Sequence, residues 1–130
     1  MTASKRLKLY FDGGCRPNPG AMETAVVVRG IPHLQTDAGH GSNHDAEWLA
    51  LLHAAHIAIA SGASDVEFVG DALAVINQAK GAAKCRTRTS AAHLAEFQRL
   101  TSGFARVRIR HVARSHNLAG IALARLHSGL

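Results

Sequence analysis

Leu7, Leu9 and Phe11 alternate with Lys8, Tyr10 and Asp12, the period-two pattern of a strand with one buried face. This predicts a first strand ending at Asp12, ahead of an irregular turn that holds Gly13, Gly14, Pro17, Pro19 and Gly20. A β-branched run over 25–29 predicts a second strand. Gly30-Ile31-Pro32 is a turn signal, and 33–37 a short third strand of an antiparallel meander. The period then changes. Leu49, Leu52, Ala55, Ala58 and Ile59 share one face at helical spacing. Ser42 is the predicted N-cap of that helix, with Asp45 in the capping-box position. Ser61-Gly62 stops it after Ala60.

Further on, 65–70 reads as a strand with Asp71 directly behind it. A short helix over 72–79 ends at Lys80-Gly81. A basic linker over 84–89 precedes a helix over about 90–100. In the last strand, 106–112, Val107, Ile109 and His111 alternate with Arg106, Arg108 and Arg110. A helix over about 117–125 follows. The order βββαβααβα contains strand–helix–strand units, so the expected class is α/β with a mixed five-stranded sheet. Its first three strands are antiparallel and its later ones parallel.

The chain has 130 residues, enough for one domain with a real core, and the expectation is a single domain over 1–130. Fifteen Lys and Arg against nine Asp and Glu give a formal charge of +6, which favours polyanionic partners, nucleic acid before membrane. Cys15 and Cys85 are too few and too far apart for a disulfide framework or a zinc motif. The first residues carry no apolar run and no window is long and apolar enough to span a bilayer. A cytoplasmic monomer with free thiols and no membrane contact is the expectation.

Three of the nine acids stand out by position. Asp12 and Asp71 each follow a predicted strand, at the sheet edge where ligands bind in sheets with parallel strands. Glu47 sits in the first turn of the long helix between Ala46 and Trp48, beside the apolar stripe and not opposite it. Three carboxylates at one edge repel one another unless a cation neutralises them. Oxygen ligands suit Mg²⁺ or Mn²⁺ and not zinc.

Four segments, in order, resemble type 1 ribonuclease H of the compact prokaryotic branch. They are Phe11-Asp12-Gly13-Gly14-Cys15-Arg16-Pro17-Asn18-Pro19-Gly20, Ser42-Asn43-His44-Asp45-Ala46-Glu47, Val69-Gly70-Asp71-Ala72, and Val112-Ala113-Arg114-Ser115-His116-Asn117 followed by Leu123-Ala124. The resemblance implies a ribonuclease H-like fold and an endonuclease that cuts the RNA strand of RNA/DNA hybrids. It implies Asp12, Glu47 and Asp71 as catalytic ligands for up to two Mg²⁺ or Mn²⁺ ions. It also implies Gly13, Asn18, Ser42, Asn43, His44, Arg114 and Asn117 as substrate contacts, with Arg86 and Arg88 near phosphates.

The chain departs from that pattern where the family carries a fourth acid. Position 121 is Ile121, preceded by Gly120, and no Asp or Glu follows Glu96. His116 or His127 as a nitrogen ligand suits Mg²⁺ poorly. His44 and Ala72 replace Asn and Ser, and Ala21-Met22-Glu23-Thr24 stands where glycines are usual. The expectation is a slowed enzyme or a nucleic-acid-binding module without turnover; a protein-interaction module is the third reading.

Overall fold

The computed structural model describes residues 5–128. Strand β1 (Leu7–Cys15) pairs antiparallel with β2 (Gly20–Val28), and β2 with β3 (Ile31–Gln35). The two-residue strand β4 (His40–Gly41) pairs with the start of β2. Helix α1 (Asn43–Ser61) leads to β5 (Asp65–Gly70), α2 (Leu73–Lys80) and α3 (Arg88–Thr101). Then come β6 (Arg106–His111), a 3-10 turn at Arg114–His116, and α4 (Leu118–Ser128). The sheet order is β3-β2-β1-β5-β6, with β5 parallel to both β1 and β6. The five expected strands and their directions are therefore present, and β4 is added at one end of β2.

The two faces of the sheet are covered separately. Leu9, Phe11, Val26 and Val28 face α1, where Trp48, Leu51 and Ala55 pack with Phe68 of β5 and Phe97 of α3. Ala25 and Val27 face the other way and pack under Ala119 and Leu123 of α4. Trp48 and Phe68 both set their rings against Phe97, with Trp48 anchored by a 3.0 Å bond from Nε1 to Gln78. Each such aromatic contributes about 1.5–3 kcal/mol by leaving water. No helix among the described residues is long and apolar enough to cross a membrane.

Helix α1 starts as expected, with a full capping box between Ser42 and Asp45, and ends at Gly62 in the left-handed region (φ 76°). Its expected stripe is wider than five residues. Trp48, Ala50, Leu51 and Ala54 are buried, whereas Ile59 is exposed beyond the sheet's cover. The hairpin turn also differs: it is Arg29-Gly30, both with positive φ, the primed geometry that matches strand twist.

The main correction concerns β1, which runs past Asp12 to Cys15, so the turn shrinks to residues 16–19. Gly13 and Gly14 are ladder residues opposite Thr24 and Glu23. A glycine pair reads as a turn signal, yet inside a strand it marks close backbone approach. A Cβ on Gly13 would lie 2.0 Å from the carbonyl oxygen of Ala46 in α1. Gly13→Ala is therefore expected to lower stability by about 3 kcal/mol or more, read as a shifted urea midpoint. The exposed cap change Gly62→Ala, with open space around it, should cost only about 1 kcal/mol.

Candidate active site

Residues 24 and more positions apart meet because three elements converge at one place. Strands β1 and β5 are parallel, so Asp12 near the end of one and Asp71 just after the other share an edge. Glu47, one turn into α1, is delivered over Gly13, whose N–H donates to Glu47 Oε1 at 3.2 Å. One carboxylate oxygen from each of Asp12, Glu47 and Asp71 lies within 4.8 Å of the others.

The 3-10 turn and α4 close the site from the opposite face. Asn117, fully buried, donates from Nδ2 to the Phe11 carbonyl (2.9 Å) and to Asp71 Oδ2 (3.2 Å). Its Oδ1 accepts the Ala119 N–H at 3.1 Å and so caps α4. Asn117 thus fastens β1, Asp71 and α4 together. It has no exposed surface for a substrate, which corrects its expected role as a substrate contact.

A cleft of about 590 Å³ opens in front of Asp12 and Glu47, walled by Cys15, Asn43, Arg114 and Ile121. Asp12 Oδ1 and Glu47 Oε2 are buried there without a hydrogen-bond donor. Two ionised carboxylates with buried oxygens side by side need a shared proton or a cation between them. Burial is the main cause that raises Asp12 above its ordinary range, with the charge of Asp71 adding to it. The Glu47 hydrogen bond, Arg114 and the Gly13 N–H pull the other way. Burial, then the Asp12 charge, pushes Glu47 up to about 10. An all-oxygen, anionic and undersatisfied set of this kind fits a hard divalent cation.

The other expected contacts divide into two groups. Asn43 and Arg114 line the cleft. Asn18 joins them indirectly, since its Oδ1 accepts the Asn43 N–H at 3.0 Å while Asn43 Oδ1 accepts the Cys15 N–H at 3.0 Å. Ser42 and His44 lie instead on a neighbouring groove with Lys84 and Arg86. The Ser42 hydroxyl is used as the helix cap (3.1 Å from the Asp45 N–H), and His44 Nε2 sits 3.3 Å from Ser90 Oγ. Glu23 and His127 also line the cleft; the sequence offers His127 only as a poor nitrogen ligand and does not single out Glu23 as a ligand or contact. Glu23 becomes visible only once β1 is extended through Gly14, its ladder partner.

The family described as reverse transcriptase-like matches residues 11–127. A ribonuclease HI from Halobacterium salinarum is 32% identical over 124 residues, covering 92% of this chain and 62% of that protein. The chain therefore spans somewhat under two thirds of that relative's length. The crystal structure of an RNase H1 from the same archaeon superposes with a TM-score of 0.87 at 28% identity, covering 97% of this chain and 100% of that one. The N-terminal RNase H domain of a Mycobacterium tuberculosis protein matches at 0.82 and 26% identity, covering 98% and 100%.

A carboxyl whose pKa is raised in the fold supports stability only while protonated. The contribution of Glu47 is complete below its ordinary 4.5 and is lost as pH climbs toward about 10. In the metal-free protein at pH 8, Glu47→Gln should therefore raise stability, on the order of 1 kcal/mol, read by chemical denaturation. Divalent ions should stabilise the unsubstituted protein more than the variant.

Proposed function

Because the chain belongs to the reverse transcriptase-like family and within it to the type 1 ribonucleases H, we propose that it hydrolyses the RNA strand of RNA/DNA hybrids. The observation that carries this reading is the set of three carboxylates within 4.8 Å, two of them with buried oxygens that no donor reaches. Asp12, Glu47 and Asp71 would hold Mg²⁺ or Mn²⁺, up to two ions. Such ions, when bound, activate water toward a phosphodiester and stabilise the departing 3′ oxygen.

The chain's own groups supply placement. Asn117 holds Asp71 at one angle, and the Gly13 N–H does the same for Glu47. Arg114, exposed beside Asp12, offers a guanidinium to a backbone phosphate. Asn43 has its Oδ1 occupied by Cys15, so its amide N–H groups are left to donate to sugar hydroxyls, the marks of an RNA strand. All three carboxylates come from one chain, so a monomer suffices. The neighbouring groove with Lys84 and Arg86 is suited to the phosphates of the second strand.

Ile121, 38% exposed on the cleft wall, favours a second reading, a domain that binds hybrids without turnover. A labelled hybrid incubated with Mg²⁺ or Mn²⁺ separates the two. Cleavage is the expected result; salt-sensitive binding with no product in either metal would establish the second reading. Asp12→Asn and Asp71→Asn should each reduce cleavage by roughly 10³-fold or more, the several kcal/mol that metal-ion catalysis supplies. Product formation that survives both substitutions would sink the assignment of the site.

A further inference from the structure

Two divalent cations bring four positive charges, and Asp12, Glu47 and Asp71 offer three negative ones. The C-terminal segment offers none, because Glu96 is the last acid in the chain. One more carboxylate does line the cleft of Asp12 and Glu47, and it comes from β2: Glu23. Asp12 lies opposite Ala25 and Gly14 opposite Glu23, so Asp12 and Glu23 are diagonal neighbours on the same face of the sheet. Diagonal positions sit roughly 7–8 Å apart, within reach of a long side chain. Gly14, lacking a side chain, leaves the space beside Glu23 open.

Glu23 is held there by its neighbour across the cleft. Its Oε2 is 2.5 Å from His127 Nε2 of α4, and its side chain is only 19% exposed. Glu23 Oε1 has no hydrogen-bond partner among the described residues. Glu23 stands outside the 4.8 Å group of Asp12, Glu47 and Asp71, so it cannot simply duplicate their shared position. Asp12 is the residue common to both, and its buried Oδ1 has no donor.

We propose that Glu23 is the fourth carboxylate of the metal centre, which with Asp12 holds a second divalent cation in place of the acid missing at position 121. This rests on the metal reading of the preceding subsection. His127 then orients Glu23 before the cation arrives and is displaced or turned aside by it.

The test counts ions. The 130-residue chain is titrated with Mn²⁺, and free Mn²⁺ is followed by its paramagnetic resonance signal, with no nucleic acid present. The unsubstituted protein is expected to bind two ions of unequal affinity. Glu23→Gln should weaken the weaker site by about tenfold or more and leave the stronger one in place. Adding Ile121→Asp to Glu23→Gln should restore the second ion, which also guards against a folding defect in the single variant. Two sites of unchanged affinity in Glu23→Gln would overturn the proposal, as would a single ion on the unsubstituted protein; in both cases the nuclease reading survives. Binding of no ion at all would overturn both. A purely structural Glu23–His127 pair predicts lower melting temperatures for Glu23→Gln and His127→Ala with ion binding intact, and that pattern would refute the proposal as well.

Discussion

The site exists because α1 crosses β1 at backbone contact distance. At Gly13 the strand has no side chain, and the Ala46 carbonyl occupies the space where a Cβ would stand. That approach carries Glu47 to Asp12 and lets the Gly13 N–H hold the Glu47 carboxylate. Any bulk at position 13 lifts the first turn of α1 away and separates the two acids. The same feature that shortens the distance also removes water from between them, and so it creates the electrostatic strain that a cation relieves.

Asn117 answers Gly13 from the other side of the sheet. A single amide bonds the Phe11 carbonyl, Asp71 and the start of α4, so the third carboxylate, the strand and the closing helix are positioned together. Buried polar groups of this kind are stable only when every donor and acceptor is used, and Asn117 meets that condition. The carboxylates around it do not. Stability and function are separated in this fold: the aromatic and aliphatic core beneath α1 supplies the first, and the undersatisfied cleft forgoes some of it.

A comparison within the same sheet shows that the imbalance is local. Glu67 is as buried as Asp12, at 6% exposure each. Yet Arg6, Lys8 and Arg110 all lie within 3.9 Å of its carboxylate oxygens. The fold thus surrounds one buried acid with cations from β1, the residue before it and β6, and leaves another facing two further carboxylates. Arg16 and Arg114 line the wall of the acidic cleft, and of the two it is Arg114 whose charge pulls Asp12 down. In a basic chain, a cleft that sets Asp12, Glu23 and Glu47 against only Arg16 and Arg114 suits a positive ligand.

Much of this is legible in the amino-acid sequence, for a physical reason. Periodicity two and periodicity 3.6 record which face of each element leaves water, so the order of strands and helices, the Ser42 cap and the Gly62 stop could be read directly. Asp12, Glu47 and Asp71 are legible because Asp71 follows a strand, Glu47 opens a helix and Asp12 closes the alternating run of β1, although β1 itself continues to Cys15. Register, by contrast, depends on which backbone groups find each other across the hairpin. Gly13-Gly14 looks like a turn until β2 pairs with it, and only that pairing brings Glu23 beside Asp12. Likewise no local signal separates an Asn that meets substrate from one that is sealed inside. Asn117 became a structural fastener because α4 and β1 converge on it from opposite ends of the chain, and that convergence is decided by packing alone.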